Sequence, residues 1–245
     1  MAPSDVLISK LIRHSPLAAG DLARVAGLTC VLRQLAPNED FIQQGDRPRA
    51  SAIVVEGLLA RYHMLASGKR QYLSLHLPGD WPDAQGLFLE EMDHSVCAIG
   101  PAVVCAIPHD ELIALFRERP AIAFAVWRET LIDAAIFREA ITNNSSRDPV
   151  PRLAHLFCEM YFRAKQIGLI KTGALSFPLN QTQIGEMLGM ALVSVNRNLK
   201  RLRKYSAMDF KGGQLIVHDW EKLSAIGEFD PTYLHQAVQA ERVQA

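Results

Sequence analysis

Two hydrophobic rhythms divide the chain. Over residues 6–30, Leu7, Leu11, Leu22 and Val25 recur at helical spacings interrupted by Pro16 and Gly20. From Leu32 the rhythm shortens. Apolar runs of strand length follow, separated by Gly45-Asp46, Gly57, Ser67-Gly68 and Pro78-Gly79-Asp80. Turn residues at roughly ten-residue intervals between β-rich runs predict an antiparallel all-β section. A further strand pair, "HSVCAIG" and "AVVCAIP", closes it before Pro108.

The helical rhythm then returns. "HDELIALFRERP" predicts a short helix ended by Pro120, and "PAIAFAVWRETLIDAAIFREAITNN" a longer one with that proline in its first turn. Phe124, Trp127, Leu131, Ala134 and Ile141 follow 3–4 spacing, while Ile122, Val126, Ile132 and Ile136 fall on other faces. A helix apolar nearly all round must be covered on more than one side. The expectation is one face on the β section and the other on a second copy of the chain, against the alternative of a central core helix in a monomer. "SSRDPVP" (145–151) reads as the domain boundary, followed by an amphipathic helix stopping at Gly168 and a short strand in "ALSFPLN".

The stretch "NQTQIGEMLGMALVSVNRNLKRLRK" (180–204) carries the most information. Asn180 with Gln183 three residues on is a capping box. Ile184 and Leu188 stripe a short helix, and Gly189 suits a sharp turn. A second helix follows from Ala191, with Leu192, Val195, Leu199 and Leu202 as its inward face. Arg197, Lys200, Arg201, Arg203 and Lys204 fall within its last eight residues, uninterrupted by an acid. Asn198, near the inward face, is out of pattern. Two short helices around a glycine turn, the second apolar on one side and basic on the other, predict a helix-turn-helix. A solvated amphipathic hairpin is the plainer alternative. "MDFKGGQLIVHDW" then places Gly212-Gly213 between two strand-like runs, a hairpin that serves as the wing of a winged helix.

Charge supports this assignment. The chain of 245 residues is formally neutral, yet residues 1–145 hold 13 Lys+Arg against 17 Asp+Glu and residues 146–245 hold 13 against 9. A polyanionic partner would therefore meet the C-terminal part. No run of about 20 apolar residues predicts a membrane span, and the start lacks the uninterrupted apolar core of a signal peptide. Cys30, Cys97, Cys105 and Cys158 show no CxxC spacing, so the expectation is ordinary thiols in a cytoplasmic protein, with a redox-sensing cysteine as the alternative. No metal site is predicted.

In order, these motifs resemble the Crp/Fnr family of bacterial transcription regulators over nearly the whole chain. "FIQQGDRPRASAIVVEGLLARY" is similar to the opening of its β-roll, "LPGDWPDAQGLF" to its Pro-Gly-Asp segment and later Gly-Leu-Phe, and "QIGEMLGMALVSVNRNLKRLRK" with "DFKGGQLIV" to its helix-turn-helix and wing. The resemblance implies an α+β chain: an antiparallel β-roll (double-stranded β-helix, cyclic-nucleotide-binding-like) over 1–118, a dimerisation helix over 119–145 seamed by Phe124, Trp127, Leu131 and Ala134, and a winged helix-turn-helix over 146–245. It further implies a homodimer on palindromic double-stranded DNA, with RNA polymerase as a further partner. Val193, Asn196, Arg197 and Lys200 would read bases; Gln181, Ser194, Arg201, Lys204 and Lys211 would contact phosphate. Cyclic-nucleotide-binding members carry a glutamate for the ribose and an arginine for the phosphate. Here the corresponding pocket holds Ala84, Gln85, His94 and Ser95. Ordinary cyclic-nucleotide binding is thus not expected, no cofactor is implied, and an effector of another kind stays open. For His94 a plain surface turn is the alternative to a place in that pocket. Only Cys30 lies where iron–sulfur members keep a cysteine cluster, and no His or Cys stands out as a haem ligand. The rival readings are a ligand-binding module that acts through protein contacts, and an enzyme. The latter finds no support, because Walker A, G-x-S-x-G, HExxH and Rossmann glycine patterns are absent.

Overall fold

Short strands joined by positive-φ glycines at residues 45, 57, 68 and 79 build the N-terminal half. In the computed structural model, which describes residues 3–170 and 173–235, helices α1 (Pro3–Leu11) and α2 (Ala19–Ala26) come first. Strands β1 (Val31–Leu35), β2 (Asp40–Ile42), β3 (Ala50–Glu56), β4 (Leu59–Met64), β5 (Arg70–His76), β6 (Ser95–Ala98) and β7 (Ala102–Pro108) follow, with a 3-10 turn at Ala84–Leu87 between β5 and β6. They form two antiparallel sheets, ordered β1-β7-β3 and β2-β6-β4-β5. Leu35, Ile42, Val54, Leu59, Val96 and Val104 fill a core shared by both, as expected of a roll.

Helix α3 (His109–Glu118) leads into α4 (Pro120–Ser146), a 27-residue helix. One side of α4 buries Ile122, Ala125 and Val126 against Leu7, Leu11, Ile53 and Ile107 of α1, β3 and β7. Its opposite side is open. Phe124 is 75 % exposed, Trp127 66 %, Leu131 53 % and Ile141 68 %. Ala134, expected in that seam, is only half-exposed and also faces a cavity beside it.

Helix α5 (Pro149–Gln166) begins three residues after α4 ends, so the predicted 145–151 linker contracts to Arg147-Asp148. The physical reason is that Pro149 occupies the first turn of a helix, where its missing N–H costs nothing. Beyond it lie β8 (Ala174–Ser176), α6 (Gln181–Leu188), α7 (Leu192–Lys204), β9 (Met208–Lys211), β10 (Gln214–Val217) and α8 (Trp220–Gly227), with a final 3-10 turn at Pro231–Leu234. Strands β8, β10 and β9 make a small antiparallel sheet. One apolar core runs from Tyr62, Tyr72 and Leu75 of the roll through Phe157 of α5 to Phe210 of the small sheet and Phe177 beside it. The C-terminal unit is therefore packed onto the roll.

The cysteine expectation is corrected. Cys30 and Cys105 form a disulfide across 75 residues, whereas Cys97 and Cys158 are free and buried. Antiparallel pairing of β1 with β7 brings the two Cα atoms within 5.4 Å, inside the span a disulfide bridges. Burial pushes the thiols of Cys97 and Cys158 up, to about 11 and about 12, which leaves little thiolate for chemistry.

Candidate nucleic-acid interface and effector cavity

The helix-turn-helix is built from its caps inward. Asn180 Oδ1 accepts from Gln183 N–H and Gln183 Oε1 from Asn180 N–H, both at 2.9 Å. At the far end Gly189 takes φ 62°, in the left-handed region, and turns the chain into α7. Gly185 is required for a different reason. A Cβ there would stand 2.5 Å from the Met190 carbonyl oxygen, so only glycine permits this approach.

Helix α7 departs from the expected inward face at two positions. Leu192, at its first position, is 49 % exposed. Asn198 is buried with Val195, Leu199 and Leu202, the i, i+3, i+4, i+7 stripe. Its amide donates to Ser194 Oγ at 3.3 Å, which satisfies the buried group and uses the hydroxyl only as an acceptor, leaving its O–H able to donate to phosphate. Val193, 77 % exposed, shares the outer face with Asn196, Arg197, Lys200, Arg201 and Lys204. None of those four cations has an acidic partner among the described residues. Arg203 does: its Nη2 and Nε donate to Asp209 of β9 at 2.6 and 2.9 Å, joining α7 to the hairpin. Lys211 and Gln214 pair across the Gly212-Gly213 turn, with Lys211 exposed, while Gln181 sits half-exposed at the start of α6. A free cationic helix face beside a hairpin is thus available to a polyanion.

The expected effector residues lie around a cavity of about 530 Å³ between the roll and α4. Ala84, Gln85 and His94 line it, but Ser95 does not; its hydroxyl accepts Gln44 N–H at 3.0 Å. His94 is buried, not on a surface turn, since Gln85 and Asp93 hold both ring nitrogens at 3.0 and 2.7 Å. Burial, then the Arg61 charge, lower its pKa. Burial and Arg61 also hold His76 neutral, well below the usual histidine range.

Sequence reasoning missed Lys10, Arg61, Asp80, Asp133 and Arg163, all at this cavity. Arg61 Nε donates to the Pro82 carbonyl at 2.6 Å and its Nη1 pairs with Asp133 of α4. Asp80 receives Lys10 at 2.8 Å and Arg163 at 2.6 Å. Only the Pro-Gly-Asp turn marked any of them in advance. The two arginines lie in patterns that could as well be solvated.

Behind Arg61, the buried Asp83 carboxylate accepts Ala52 N–H at 2.9 and 3.1 Å. Burial pushes Asp83 up to about 7, against the Ala52 hydrogen bond and the Arg61 charge. An acid whose folded pKa exceeds its unfolded value of about 4 binds its proton more tightly when folded. Its stabilisation is full below pH ~4 and is lost as pH rises to about 7. Urea denaturation of the native chain and Asp83→Asn at pH 4.5 and 7.5 should therefore show the native chain losing ground to the variant. Equal changes would mean that Asp83 is ionised in the fold.

Two family models match the chain in this order: a cyclic nucleotide-binding domain over residues 32–119 and a Crp-like helix-turn-helix domain over residues 151–226. The chain belongs to the Crp/Fnr family. Its Crp/Fnr relatives include Electron transport regulator A of Shewanella oneidensis, 23 % identical over 86 % of this chain and 84 % of that one. The Anaerobic regulatory protein of Haemophilus influenzae is 24 % identical over 88 % and 83 %. Among solved structures, FixK2 from Bradyrhizobium japonicum superposes with a TM-score of 0.73 at 22 % identity, over 81 % of this chain and 98 % of that one, which establishes the shared fold. The α+β assignment, with a β-roll and a winged helix-turn-helix, stands, and the chain is a Crp/Fnr-type DNA-binding transcription regulator. No helix among the described residues is long and apolar enough to cross a membrane.

Proposed function

We propose that this regulator acts in the cytoplasm as a homodimer on a palindromic site and has no catalytic role. The roll over 1–118 serves as the sensory domain, 119–145 as the dimer helix and 146–245 as the DNA-binding domain. The observation that carries the reading is the outer face of α7, where Arg197, Lys200, Arg201 and Lys204 stand exposed without acidic partners among the described residues. Arg197 reads a guanine edge, Val193 touches a thymine methyl, and Asn196 and Lys200 complete the base contacts. Gln181, Ser194, Arg201, Lys204 and Lys211 fix the register on phosphates. Half-sites then lie about one turn of DNA, some 10 bp, apart. The cavity lacks the residues for a cyclic nucleotide, so ordinary cyclic AMP does not gate this DNA domain. Contact with RNA polymerase belongs to the same reading.

Selection of genomic fragments by the purified protein tests it. A shared palindrome should emerge, and Arg197→Ala should lose about 1–3 kcal/mol of specific binding and relax one base position. Lys204→Ala and Lys211→Ala should instead weaken all sequences alike and flatten the salt dependence. Equal losses on specific and random DNA from both kinds of change would sink the assignment.

A further inference from the structure

The geometry points to an uncharged, largely apolar effector in the cavity between the roll and α4, bound against the ion pairs that hold α5 to the roll. Its apolar wall comes from Leu73, Leu89, Val126, Ile132, Ile136 and Phe137. Three cations reach the lining, and each is already neutralised. Lys10 pairs with Asp80 at 2.8 Å and Glu129 at 3.2 Å, Arg61 with Asp133, and Arg163 with Asp80 at 2.6 Å and Glu159 at 2.9 Å. Both ring nitrogens of His94 are engaged, and His76 Nε2 lies 2.8 Å from Ser74 Oγ. An anionic ligand would have to expel a carboxylate from one of these pairs or enter without a counterion of its own, and either costs more than leaving the pairs intact. An uncharged ring system loses only its contact with water, which favours entry in proportion to the apolar area covered. Because Arg163 of α5 borders the same space, such a ligand abuts the pair that ties the DNA-binding unit to the roll. Its standing as an effector rests on the regulator reading; its binding does not.

Benzophenone is the probe: two apolar rings and one carbonyl, without charge. It is titrated calorimetrically into the full-length protein beside 4-benzoylbenzoate, which adds a carboxylate, and cyclic AMP. Benzophenone should saturate at one per subunit, and 4-benzoylbenzoate and cyclic AMP should bind at least tenfold more weakly. Leu73→Trp, which fills the cavity, should weaken benzophenone at least tenfold. Asp133→Asn frees the Arg61 charge, so 4-benzoylbenzoate should gain at least tenfold while benzophenone changes little. Tighter binding of either anion to the native chain, or no saturable binding of benzophenone, overturns the inference. So does a fall of the particle to the 27.2 kDa subunit mass on titration, which would make the cavity a seat for a second copy. Palindromic DNA binding, measured separately, fails or succeeds independently: DNA binding without benzophenone binding removes the ligand, and the converse removes the regulator.

Discussion

Arg163→Met should destabilise the folded chain by about 3–5 kcal/mol, as expected when one partner of a buried ion pair is removed. The side chains of Arg163 and Asp80 are 7 % and 10 % exposed, and Nη2 of Arg163 stands 2.6 Å from Asp80 and 3.0 Å from the Leu75 carbonyl. Its Nη1 donates to Glu159 at 2.9 Å, and Glu159 in turn accepts the Tyr233 hydroxyl at 2.9 Å. From the other side, Lys10 joins Asp80 to Glu129 of α4. One network thus ties α1, the roll, α4, α5 and the C-terminal 3-10 turn. Methionine keeps the packing of the stem but leaves the carboxylates of Asp80 and Glu159 with one fewer counterion each.

Burial alone would raise Asp80, but Lys10 and Arg163 outweigh it and hold its pKa well below the usual carboxylate range. A depressed acid stabilises the fold above its unfolded pKa near 4, and that contribution drains away as pH falls toward the folded value. Urea denaturation of native, Asp80→Leu, Arg163→Met and the double variant at pH 7 measures the coupling. The double variant should be more stable than the sum of the single losses predicts, by at least about 1 kcal/mol. Additive losses would mean that the pair contributes no more than two independent side chains.

What the sequence disclosed and what it withheld follow from the range of the signals. Glycine turns, the Asn180–Gln183 capping box and the Gly212-Gly213 hairpin are local chemistry, and each lies where it was expected. The face of α4 was legible because apolar spacing reports which side of a helix is covered. It does not report by what. Arg163 and Asp80 are 83 residues apart, and Cys30 and Cys105 are 75 apart; nothing near either position marks the partner. His94 was misjudged for the same reason, because nothing beside it in the chain marks Gln85 as the partner of its buried ring or Arg61 as the charge acting on it. Asn198 broke the pattern until the structure supplied Ser194, four residues earlier, as its acceptor.

Leu131→Glu should convert a dimer into a 27.2 kDa monomer in gel filtration and lower affinity for the palindrome by about 10²–10⁴. Phe124, Trp127, Leu131 and Ile141 project from α4 at 3–4 spacing, and all are more than half exposed. Ala134 between them is small enough for close approach, and the stripe follows the a/d rhythm of a two-helix seam. So large an apolar stripe is unfavourable when left in water, and a second copy related by a two-fold axis would cover it with the same residues. Glutamate at position 131 would oppose its own copy near that axis, where little water reaches. In the isolated subunit the same side chain meets solvent, so stability should shift by no more than about 0.5 kcal/mol. That contrast separates a seam from a core. A native chain that already runs as a monomer, or a variant that remains dimeric with DNA binding intact, would remove α4 from the interface. The affinity loss has a geometric cause: two α7 helices held one turn apart bind the second half-site as an intramolecular step, whereas a lone subunit must capture each half-site from solution.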